Sequence, residues 1–102
     1  MTTQVMNYQI LFYGGSDGYL NSRAQIVLFG ADGSVAGYIR FHDPGMVFDS
    51  DSTAGNAIYM NQPSAMLPSI VDMLRNESPV YIYFAVGKAF LSTSKEPAGE
   101  GE

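Results

Sequence analysis

The chain has 102 residues, enough for one domain with a modest core, and its ten acidic and five basic residues give a net charge of −5. It holds seven tyrosines, one histidine, no cysteine and no tryptophan, which excludes disulfides and thiolate metal sites and leaves little catalytic chemistry. Charged residues make up 15%, against about a quarter in typical soluble proteins, so apolar or phenolic surface should be left over for an interface.

Residues 5 to 13 (VMNYQILFY) alternate as a strand, with Tyr8, Ile10 and Phe12 on one face and Gln9, Leu11 and Tyr13 on the other. The N-terminus has no basic region ahead of an apolar run, so it does not read as a secretory signal. No stretch approaches the roughly twenty apolar residues of a membrane span. A soluble cytoplasmic protein is expected. Gly14 to Gly18 supplies turn chemistry, and Ala24 to Phe29 is a second strand. Gly30-Ala31-Asp32-Gly33-Ser34 then links it to a third, Val35 to His42; glycine at a tight turn makes this a hairpin.

Asp43-Pro44-Gly45 ends that strand, and residues 46 to 56 read as a loop with a short edge strand at Met46 to Phe48. Ala57 to Met60 is a further short strand. Ser64 to Asn76 is the one helix: Leu67, Ile70, Val71 and Leu74 recur at helical spacing, Ser64 is placed to cap, and Asp72 and Arg75 are placed to pair. Pro63 and Pro68 belong near its start and Pro79 stops it. The apolar arc is broad for so short a helix, leaving one side for a partner. Pro79 to Val86 (PVYIYFAV) and Ala89 to Ser94 pair through a turn at Gly87-Lys88. Glu96 to Glu102 (EPAGEGE) reads as a disordered acidic tail after a single α+β domain spanning residues 1 to 95. The expected architecture is a mostly antiparallel sheet of five to six strands, ordered β-β-β-(β)-α-β-β, with the helix packed on one face.

Alternation then assigns the faces. Ile39, Phe41, Ile82 and Phe84 should face the helix, which puts Tyr38, Arg40, His42, Tyr81 and Tyr83 together on the outer face if their strands share one sheet. That face is aromatic and locally basic. It suits a dimer interface, where tyrosine and arginine are enriched, or a platform for stacked bases. Tyrosines that cover the sheet with their own rings are the plainer reading.

Other patterns carry less. His42-Asp43 is the one pairing suited to acid–base work, but no nucleophile elbow accompanies it, so a small-molecule enzyme is the weakest reading. Asp49-Ser50-Asp51 echoes a calcium loop, yet Ala54 and Met60 stand where glycine and glutamate are required. Ser92 to Lys95 matches a Ser-x-x-Lys spacing outside its helical context. Neither a cofactor nor a metal is expected.

In layout, strands followed by a helix, the chain is similar to single-stranded nucleic-acid-binding domains of the PC4/Whirly type, which dimerise and use sheet surfaces. The resemblance covers element order alone. It implies single-stranded nucleic acid as the alternative ligand. An acidic chain repels phosphate, so the leading expectation is a non-enzymatic interaction domain whose partner is a second copy of itself, or else another protein.

Overall fold

The computed structural model describes residues 2–95 and 98; the expected acidic tail lies outside them apart from that one residue. Among the described residues, eight strands, one α-helix and a short 3-10 turn form an α+β fold. The strands are β1 (Thr2–Val5), β2 (Asn7–Phe12), β3 (Ala24–Phe29), β4 (Val35–His42), β5 (Ser52–Ala54), β6 (Ala57–Pro63), β7 (Val80–Ala85) and β8 (Lys88–Thr93), with α1 (Leu67–Asn76) between β6 and β7.

The strands do not form the one sheet expected. They make a three-stranded sheet, β1-β7-β8, and a five-stranded sheet, β2-β3-β4-β6-β5. The division falls inside the first apolar run. The Met6 amide donates to the Phe29 carbonyl (2.8 Å) although Asn7 is the register partner of Phe29, so two successive residues address one. Such an extra residue bends a strand. The run therefore begins in one sheet against β7 and finishes in the other against β3. Pairing is antiparallel except between β4 and β6, which run parallel.

One core joins the elements. Ile26, Leu28, Ile39, Phe41 and Ile58 of the larger sheet, Ile82 and Ala89 of the smaller, and Ile70 of α1 are buried together. Phe84 packs against them, so the inward assignments of Ile39, Phe41, Ile82 and Phe84 hold. Gly37 of β4 leaves room for β6 beside it and for Ile82 of the smaller sheet. A β-carbon there would stand 2.7 Å from the Ile58 carbonyl oxygen and 2.9 Å from Ile82 Cδ1. Asp51 closes the far side, its two carboxylate oxygens accepting from the amides of Asn61 on β6 (2.8 Å) and Ala89 on β8 (3.0 Å).

Several local expectations shift. The β3–β4 hairpin turns at Gly33 (φ 83°), with Asp32 accepting from the Ser34 amide and hydroxyl. The edge strand is Ser52–Ala54 rather than residues 46 to 48. The helix is preceded by a 3-10 turn over Ser64–Met66, and Ser64 is not its cap. Asp72 accepts from Asn76 Nδ2 (2.7 Å) where a pair with Arg75 was expected. The last hairpin turns at Val86 and Gly87, both left-handed. No helix among the described residues is long and apolar enough to cross a membrane.

Candidate functional site

The outer face of the five-stranded sheet carries Tyr38 and Arg40 on β4. Register places Tyr59 of β6 beside Tyr38, and Gln25 of β3 beside Arg40. The Tyr38 and Tyr59 rings stack at 5.0 Å and 15°. The Arg40 guanidinium carbon lies 5.1 Å from the Tyr59 centroid, and its Nε donates to Gln25 Oε1 (3.0 Å). Arg40 pairs with no carboxylate among the described residues, where Arg23–Asp43 is the one ion pair. Tyr59 was not among the expected site residues. Its alternation with the buried Ile58 and Met60 was visible in the sequence, but the parallel pairing that sets it beside Tyr38 was not.

Tyr81 and Tyr83 do not join this face. They sit on the outer side of the other sheet, where Tyr83 stacks on Phe90 at 4.9 Å and 7°. The condition that united the five residues fails because β7 pairs with β1 and β8.

His42 departs from expectation in another way: it is only 4% exposed. Nδ1 donates to the Asn21 carbonyl, which can only accept, and Nε2 meets the Asn61 side-chain amide at 2.8 Å. The ring lies 4.6 Å from that of Phe48. Both nitrogens are thus engaged in holding a turn and a neighbouring strand. Asp43, the other half of the expected acid–base pair, accepts from Arg23 Nε at 2.7 Å. That bond, and then one from Ser64, holds its carboxyl below the usual aspartate range. Arg23 also donates to the carbonyls of Tyr13 (2.7 Å), Gly15 (2.8 Å) and Ser16 (3.2 Å). Asp43 is therefore an anchor for the loop after β2. A cavity of about 180 Å³ lies beside it, lined by His42, Met46, Phe48, Pro63 and Ser64.

The anchored loop ends in a two-residue turn in which Leu20 (φ 50°) and Asn21 (φ 58°) are left-handed. Mutual amide–carbonyl bonds between Tyr19 and Ser22 (2.9 and 3.0 Å) close it. This conformation costs a residue such as leucine roughly 1–2 kcal/mol, yet Leu20 is 71% exposed and gains no burial in return. Phe12, Tyr19, Val47 and Phe48 are exposed as well. Phe48 reaches the turn through His42, and the Met46 methyl lies beside Gly18, so the loops after β2 and β4 form one apolar end.

In the loop before β5, Asp51 serves the backbone amides of Asn61 and Ala89.

No protein-family model, curated protein or solved structure matches the chain.

Proposed function

We propose that the chain is a small non-enzymatic interaction domain that works as a homodimer. The observation that carries this reading is the way its rings are used. Tyr38 lies on Tyr59, Tyr83 on Phe90 and Tyr13 against Tyr19, while Arg40 caps Tyr59. Ring faces occupied within the chain are poorly available for bases, and their hydroxyl edges suit contact with another protein surface. Large apolar side chains also stand exposed, on a chain with few charges to cover them. An enzymatic role for His42 finds no support, since both its nitrogens are occupied. The absence of cysteine suits a reducing cytoplasm.

Sedimentation equilibrium at tens of micromolar tests the reading. A mass of twice 11.1 kDa is expected; 11.1 kDa throughout would overturn the dimer.

Single-stranded nucleic acid is the second reading, favoured by one observation: Arg40 has no acidic partner among the described residues. It requires anisotropy of a labelled oligonucleotide to rise at low salt and fall as salt is added. Loss of that signal in Arg40→Ala would support it, and no signal at low salt would end it.

A further inference from the structure

The structure assigns a place for the self-association proposed above, on which this inference rests: the free edge of β2, paired antiparallel with β2 of a second copy.

The backbone identifies the edge. The Tyr13 amide donates to the Arg23 carbonyl (2.9 Å), one residue beyond the Phe12–Ala24 register pair. In an antiparallel ladder that geometry makes Phe12–Ala24 a non-hydrogen-bonded pair, and such pairs alternate with bonded ones. Asn7, Gln9 and Leu11 therefore turn their amides and carbonyls toward β3, while those of Tyr8, Ile10 and Phe12 point the other way. Among the described residues no strand pairs with β2 on that side. Clefts run along it instead, one of about 390 Å³ between Phe12 and α1 and one of about 240 Å³ between Val5, Met6, Tyr8 and the helix end.

Proteins usually protect such edges with charge, proline or a very short strand. Of the other edge strands, β1 has four residues and β5 three, and β8 opens with Lys88 and has its Ala89 amide taken by Asp51. β2 has none of these. No charged side chain occurs before Asp17, on a chain of net charge −5. Two acidic copies repel everywhere except where they meet without charge, which favours this segment as their contact. Met6 (52% exposed), Leu11 (38%) and Phe12 (68%) lie along it with apolar surface to bury.

The edge is also self-complementary. With a two-fold axis at Ile10, Tyr8 bonds to Phe12 of the second copy, Ile10 to its equivalent, and Phe12 to Tyr8. All the free groups of the three residues are then satisfied by one isologous contact. The same register sets Gln9 opposite the second copy's Leu11 on the outer face, at the close spacing of a non-hydrogen-bonded pair.

That pairing supplies the test. Gln9→Lys combined with Leu11→Lys brings lysines face to face across the axis, and Gln9→Glu with Leu11→Glu does the same with glutamates. Both positions are exposed, so each variant should keep the wild-type circular dichroism spectrum. Each should sediment as a single chain at concentrations where the wild type is paired, and an equimolar mixture of the two should recover the two-chain mass. A lysine variant that pairs as tightly as the wild type, or a mixture that stays single, overturns the edge assignment and leaves the dimer standing. A wild type that is itself single overturns both.

Discussion

Gly37→Ala tests the close packing around Gly37, by β6 of its own sheet and by Ile82 of the other. The added methyl would lie 2.7 Å from the Ile58 carbonyl oxygen and 2.9 Å from Ile82 Cδ1, both inside any acceptable contact. Neither neighbour yields easily. The carbonyl belongs to β6, held in its ladder with β4, and Ile82 is fully buried. Overpacking of this kind costs roughly 1–3 kcal/mol, and the rigid neighbours place it in the upper part of that range. Replacing glycine lowers the entropy of the unfolded chain and returns about 0.4–1 kcal/mol. The net loss is about 1–2.5 kcal/mol, which for a chain of this size lowers Tm by roughly 5–20 °C. The control is Gly14→Ala, where nothing lies within 4 Å and φ is not left-handed; it should stay within about 0.5 kcal/mol of wild type. Thermal unfolding followed by circular dichroism compares the two. Equal melting temperatures would mean that neither the Ile58 carbonyl nor Ile82 closes on Gly37, and the packing described at that point would fall.

Arg23→Lys keeps the charge but cannot serve Asp43 and three carbonyls at once, so it should cost about 1–2 kcal/mol; hydrogen exchange confined to residues 13–22 should rise, and exchange unchanged there would remove the anchor role. Asp43 is held below the ordinary aspartate value by Arg23, so the stability it contributes is present above that value and is lost only as pH falls below it through the folded pKa. An NMR titration that finds its carboxyl at or above 3.8 would contradict the pairing. His42→Ala leaves the Asn21 carbonyl and the Asn61 amide without their partner and should lower stability by about 1–3 kcal/mol; denaturant unfolding unaffected by the change would mean that His42 is not structural. A double-mutant cycle on Tyr38 and Tyr59 should return about 0.5–1.5 kcal/mol for the stack, and additive effects would deny it.

Local pattern carried the strands well. The runs Ala24 to Phe29 and Val35 to His42 coincide with β3 and β4, because turn residues bracket each run of β-forming side chains. What local pattern could not carry was pairing. Val5 to Tyr13 reads as one continuous strand, and nothing in its alternation marks Met6 as the bend that sends its halves to different sheets. That omission dispersed the expected site, leaving Tyr38 and Arg40 on one sheet and Tyr81 and Tyr83 on another. The parallel pairing of β6 with β4 arises from contacts distant in sequence, so Tyr59 was missed as the partner of Tyr38. His42 was given the right side of its strand but the wrong environment. Its burial comes from the Asn21 turn and Phe48, which fold over that end of the sheet.

The most direct test of dimerisation through β2 is residue-resolved amide exchange at low and high protein concentration. Gln9 and Leu11, already bonded to β3, should be protected at both, while Tyr8, Ile10 and Phe12 should pass from fast exchange to protection as concentration rises. Exchange at those three amides that is equally fast at every concentration would contradict the account.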